Sequence, residues 1–154
     1  MYMNDKTIVR RATAADTSAL IRLRLDYLTE QGELSPADVQ QLRQYFAKHI
    51  AQGACIAVLA EVKGEVAGVA LLAISEKPAN PAFITGVTGT LLNVLTYPAH
   101  RGQGIATQVL TRMMDEARAA GVSRIDLSAT AAGKTLYKKL GFDESAHTTM
   151  GLQL

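Results

Sequence analysis

The 154-residue sequence has a single cysteine, no tryptophan and no long hydrophobic run. Its longest apolar stretch, through Ala67 to Ile74, falls far short of the ~18 residues of a membrane span. A lone Cys55 cannot close an internal disulfide. The opening residues MYMNDKTIVRR contain neither an apolar segment nor a small-residue cleavage site, so a reduced, cytoplasmic setting without membrane association is expected. No charge sign dominates: 16 basic and 14 acidic residues give a net charge of +2, and no run of like charge exceeds a pair such as Lys138–Lys139. That is not the footprint of a nucleic-acid binder. His49, His100 and His147 are too widely spaced to form a local metal-ligand motif, and no metal is expected.

The hydrophobic fraction is 48% and the charged fraction 19%, which excludes a disordered chain and fits one folded domain spanning residues 1–154. A short strand at residues 7–12 precedes Thr13, a helix cap with Asp16 three residues on, and a helix from about Ala14 to Thr29. Ser35 as cap, Pro36 at the first position and Asp38 at the third start a second helix, which carries Val39, Leu42, Phe46 and Ile50 on one face and stops at Gly53. CIAVLAEV and EVAGVALLAI, joined at Lys63–Gly64, read as an antiparallel hairpin. Cys55, inside the first of these, reads as a buried small hydrophobe rather than a nucleophile. After a loop from Lys77 to Gly89, a fourth strand runs from Thr90 to Thr96, a third helix from about Gly102 to Ala120, a strand from Arg124 to Ser128 and a short helix from Ala131 to Leu140. One or two strands are expected in the tail from Phe142 to Leu154. The class is α/β with a mixed sheet, antiparallel early and parallel in the late strand–helix–strand unit.

The most informative stretch is RGQGIA, Arg101 to Ala106, where a helix opens just after a strand and a proline turn. Helix starts offer unpaired N–H groups and the positive end of a dipole, and Gly102 and Gly104 let a phosphate approach the backbone. The dinucleotide fingerprint GxGxxG fails because Thr107 stands at the third glycine. Gly133, Lys134 and Thr135 imitate the end of a P-loop, but Ser128 replaces the first glycine and only 19 residues follow Thr135. That is too short for a nucleotide hydrolase, so a P-loop nucleotide-binding protein is a remote alternative.

Pro98 followed by RGQGIA resembles motif A of the GNAT superfamily of N-acetyltransferases, whose Q/RxxGxG/A signature is matched by Arg101, Gly104 and Ala106. TLYKKLGF, Thr135 to Phe142, resembles the family's motif B. The resemblance implies a mixed sheet of six to seven strands flanked by four helices, with acetyl-CoA lying along the fourth strand where the fifth splays away. It implies that the backbone of Val94, Leu95 and Thr96 pairs with the pantetheine arm. The amides of Arg101, Gly102, Gln103, Gly104, Ile105 and Ala106 would hold the pyrophosphate, with Tyr137 beside the sulfur as general acid.

The implied activity is that of an acetyl-CoA-dependent N-acetyltransferase acting on a primary amine of a small molecule, peptide or protein, with homodimerisation left open. A general base is harder to find. No Asp or Glu occurs between Lys77 and Met114, so Glu76, Glu30, Glu33 and His100 are the remaining candidates, and none is assigned the role. The absent carboxylate also keeps an alternative: a catalytically weak domain of the same fold that binds or senses acyl-CoA.

Overall fold

The computed structural model describes residues 6–32 and 38–154. Its sheet is built from β1 (Thr7–Arg11), β2 (Cys55–Val62), β3 (Glu65–Glu76), β4 (Val87–Thr96) and β5 (Arg124–Asp126), in that spatial order. The first four strands are antiparallel neighbours, and β5 joins β4 in parallel. The helices are α1 (Thr17–Glu30), α2 (Val39–Gln52), α3 (Ile105–Ala119) and α4 (Lys134–Lys139). The mixed α/β class and four helices agree with the sequence reading.

Both sheet faces are covered, and the period-2 geometry of the interior strand β2 explains its unbroken apolar run. Ile56, Val58 and Ala60 of β2 pack with Val109, Leu110 and Met113 of α3. Cys55, Ala57 and Leu59 point the other way, toward Leu20, Leu23 and Phe46 of α1 and α2. Burial pushes the Cys55 thiol up, as a packing residue should behave. Lys63 and Gly64 both adopt positive φ (52° and 77°), the paired left-handed conformation of a two-residue hairpin turn.

Element boundaries shift for local reasons. Three residues of 3-10 helix, Ala14–Asp16, precede α1 and are fixed by the Thr13 N–H donating to Asp16 Oδ2 at 2.8 Å. In α2, Asp38 is the cap rather than the third residue: its carboxylate accepts from the amides of Gln40 and Gln41 at 3.0 and 3.2 Å. The expected cap and first position, Ser35 and Pro36, lie outside the described residues. β4 begins at Val87, three residues before the expected start, because its early part pairs with the end of β3 through Ser75↔Thr88 and Glu76↔Val87. The strand expected over Arg124 to Ser128 is cut to three residues, since only these pair with β4.

The expected six to seven strands are corrected to five among the described residues. The tail forms none. Asp143, Glu144, Ser145 and His147 give its first half no apolar face to lay on a sheet, and the later Met150, Leu152 and Leu154 remain exposed.

Candidate functional site

β4 and β5 pair only through Thr88↔Arg124, Gly89↔Ile125 and Thr90↔Asp126. Beyond Thr90 the strands separate while β4 continues to Thr96, so its outer edge has no strand neighbour. Backbone N–H and C=O groups along such an edge are free to bind an extended ligand. A cleft of about 940 Å³ opens from this wedge, with β4 as one wall, the start of α3 at one end and the Gly133–Tyr137 segment opposite.

Inside the wedge β4 is bulged. Val69 pairs with Leu95 but Leu71 pairs with Leu92, so Asn93 and Val94 together oppose Ala70. Asn93 sits at φ 56°, a conformation that asparagine tolerates better than β-branched residues. Both ends of its buried side chain are engaged: Nδ2 donates to Leu23 O at 3.4 Å, and Oδ1 accepts from Arg24 Nη1 at 3.3 Å. The bulge ties the cleft wall to α1.

At the far end, the chain leaves β4 through a 3-10 turn at Pro98–His100 and enters α3 later than expected, at Ile105 instead of Gly102. Gly102 and Gly104 both take φ 76°, and a Cβ on either would meet nothing within 4 Å. The amides of residues 102–107 have no protein acceptor among the described residues. They form an open row of donors at the positive end of α3, which fits a pyrophosphate. The Arg101 amide is instead turned to Pro98 O at 3.3 Å. Its side chain braces the turn: Nε donates to Thr96 O at 2.9 Å and Nη2 to Glu30 at 2.6 Å.

The expected site residues largely converge. Val94, Leu95, Thr96, Arg101, Gly102, Gly104, Ile105 and Ala106 all line the cleft, together with Tyr137. Gln103 does not. Ile105 is 1% exposed and packs into the α3 side of the core, so it offers the cleft its backbone rather than its side chain. Thr107, which the sequence reading left out, also lines it.

Tyr137 stands on α4 with its ring edge-on to Phe142, centroids 5.9 Å apart. Gly133 allows that placement, since a Cβ there would lie 3.1 Å from Tyr137 Cε2. The hydroxyl has no hydrogen-bond partner among the described residues. Burial, with Tyr27 nearby, raises the phenol above its ordinary value, so it stays protonated through the neutral range. The neighbouring Lys134 pairs with Glu144. Ser128 to Gly133 form no cradle at the start of a long helix, since α4 has only six residues.

Of the base candidates, Glu30 lines the cleft but is held by Arg101, His100 lines it as well, and Glu76 lies away from it at the end of β3. Glu33 lies outside the described residues. Asp126, a second cleft carboxylate, accepts from Arg124 Nε at 2.9 Å. A larger hollow, about 1280 Å³, opens between the end of α3, β5 and the tail. It shares Tyr137 with the cleft but lies at the C-terminal, negative end of α3 and carries Asp143 and Glu144, so anion binding points to the wedge.

Comparisons with known proteins converge on one family. A model described as the acetyltransferase (GNAT) family matches residues 18–142. Among solved structures, a predicted acetyltransferase from Clostridium acetobutylicum, crystallised with acetyl-CoA, is similar at 29% identity and a TM-score of 0.86, with 96% of each chain covered. A GCN5-related N-acetyltransferase from Ralstonia eutropha JMP134 is similar at 22% identity and TM-score 0.78, over 96% of this chain and 99% of that one. The glucosamine-6-phosphate N-acetyltransferase of Arabidopsis thaliana shares the fold at 16% identity and TM-score 0.73, over 96% of this chain and 98% of that one. No curated protein matches the sequence significantly. Among the described residues no helix is long and apolar enough to cross a membrane.

Proposed function

The chain belongs to the acetyltransferase (GNAT) family, and on that premise we propose that it transfers the acetyl group of acetyl-CoA directly to a primary amine of a small molecule, peptide or protein. The observation that carries this reading is the coincidence of three features in one cleft: a strand edge without a partner, a row of free amides at the start of α3, and a protonated tyrosine opposite. The acetyl-CoA complex of the Clostridium acetobutylicum relative supports the choice of cofactor.

Acetyl-CoA supplies an activated thioester. The backbone of Val94 and Leu95 on the open edge of β4 holds the pantetheine arm, with Thr96 completing the wall. Thr96 O already accepts from Arg101, which fixes the end of this wall before any ligand arrives. The amides of Gly102, Gln103, Gly104, Ile105 and Ala106 receive the pyrophosphate, and the positive φ of the two glycines turns their backbone toward it without a side chain between. The phenol of Tyr137 donates its proton to the departing thiolate. Among the described residues both carboxylates that line the cleft, Glu30 and Asp126, are engaged by arginines, so no carboxylate acts as a strong base here and the amine enters neutral or loses its proton to water.

The same pairing of Glu30 and Asp126 is the one observation that favours a second reading, a domain that binds or senses acyl-CoA without turnover. Following thiol release from acetyl-CoA across a panel of amines separates the two. Amine-dependent release supports the transferase, whereas tight acetyl-CoA binding with no amine-dependent release supports the sensor.

A further inference from the structure

Among the described residues, the carboxylates and guanidiniums that line the cleft are paired at all but one place. Glu30 and Arg101 neutralise each other, and Asp126 is taken by Arg124. On the outer flank of α1, Arg22 faces Asp26 at 3.8 Å, and Asp26 also accepts from Tyr97 Oη at 2.5 Å. Arg24 lines the cleft, is half-buried, and has no carboxylate partner among the described residues. Its one hydrogen bond runs from Nη1 to Asn93 Oδ1.

That single bond aims the group. Asn93 is locked by its positive φ and by its own bond to Leu23 O, so its Oδ1 is a fixed point beside the bulge. A guanidinium has five N–H donors in a planar fork, and anchoring one leaves the rest available. Below, Thr90 and Leu92 of β4 are exposed, and they form a floor of mixed polarity. A half-buried guanidinium with no carboxylate partner has donors to spare, and the anion of a ligand can take them up.

We propose that Arg24 is an acceptor subsite for a carboxylate, and that the preferred acceptor is a small amino-carboxylate whose amine and carboxylate lie a few bonds apart. The inference rests on the acetyl-transfer reading and deepens it by naming the substrate class. A carboxylate fits better than a phosphate because the cleft has one unneutralised positive charge, whereas a phosphate near neutral pH carries more than one negative charge. A short acceptor fits because Arg24, Tyr27 and Tyr137 line the same cleft, with Arg24 and Tyr27 one helical turn apart on α1. The anion and the reacting amine therefore sit at neighbouring points of one cleft.

The test compares free amino acids with their carboxamides as acceptors, with kcat/KM normalised to the neutral-amine fraction because the amide lowers the amine's own pKa. In the parent, the carboxylates should be favoured by about tenfold or more, carried mainly by KM, as for a charge-assisted bidentate contact. Arg24→Gln should bring that ratio close to one, and Arg24→Lys should keep part of it. Equal use of acids and amides by the parent, or an unchanged ratio in Arg24→Gln, would overturn the subsite. Acetyl-CoA affinity, titrated in parallel, separates the two levels. A chain that binds acetyl-CoA and acetylates amines without regard to a carboxylate refutes this inference alone. A chain that does not bind acetyl-CoA refutes the transferase reading and the subsite with it.

Discussion

Replacing Tyr137 with phenylalanine removes one oxygen and little else. The ring keeps its edge-on contact with Phe142 and its place against Gly133. The lost hydroxyl leaves no protein group unpaired, because it has no partner among the described residues. Folding stability should therefore change by no more than about 0.5 kcal/mol, as for substitutions that disturb neither packing nor a hydrogen bond. Turnover should respond very differently. A general acid contributes about 10²-fold to 10⁴-fold, roughly 2.7 to 5.5 kcal/mol of barrier at ~1.36 kcal/mol per decade. Thiol release at saturating acetyl-CoA and amine gives kcat, while titration calorimetry gives the acetyl-CoA Kd. The expected pattern is a large fall in kcat with Kd nearly unchanged. Because burial raises the phenol above its ordinary value, the acid form is present throughout the neutral range, and loss of the acid should cause no fall in rate on the alkaline side of neutrality. An unchanged kcat, or a loss of affinity equal to the loss of kcat, would show that Tyr137 only packs.

Gly104→Glu places an anion and a left-handed side chain at φ 76°, and should weaken acetyl-CoA binding by about tenfold or more in calorimetry. With no free carboxylate lining the cleft among the described residues, the log of the rate at subsaturating amine should climb with near unit slope toward the amine's pKa, because an amine of pKa ~10.4 is only about one part in 2,500 neutral at pH 7. A plateau near pH 6 to 7 would reveal a protein base. Gly89→Ala should destabilise by about 1–3 kcal/mol in urea unfolding, since the new Cβ would lie 2.6 Å from Leu72 Cδ1. Asp16 is held below its ordinary value chiefly by Arg10, which donates to it at 2.8 and 2.9 Å. A lowered folded value gives stability that is present above the unfolded pKa of ~3.9 and lost as pH falls through the folded one. Asp16→Asn should thus cost about 1 kcal/mol at pH 7, with the gap from the parent closing below pH 4.

The elements most legible in the sequence are those whose signals are local. The hairpin at Lys63–Gly64, the continuous apolar β2 and the Gly53 stop of α2 each follow from nearby residues, and each is found. RGQGIA pointed to the anion-binding turn, although the helix starts later because both glycines are spent on positive φ before Ile105. Non-local features were harder to see. The opening of the wedge depends on where β5 stops pairing with β4, and the sequence of Leu127 and Ser128 gives no sign of that. The bulge at Asn93 had a visible signal, a polar residue inside an apolar strand. Its meaning depends on Leu23 and Arg24, some 70 positions earlier. Arg24 itself was indistinguishable from any other charged residue on a helix until the fold showed which arginines have carboxylate partners. One or two strands are expected in the tail from the order of elements along the chain, and its polar first half does not provide them.

The central claim is that the wedge beyond Thr90 and the amides at the start of α3 form one binding surface for acetyl-CoA. A crystal structure of the protein with acetyl-CoA tests it most directly. The account predicts pyrophosphate oxygens at about 3 Å from the amides of residues 102–106, the pantetheine arm along Val94 and Leu95, and the thioester sulfur beside Tyr137 Oη. Acetyl-CoA bound instead in the hollow between α3, β5 and the tail, or no bound acetyl-CoA at saturating concentration, would contradict it.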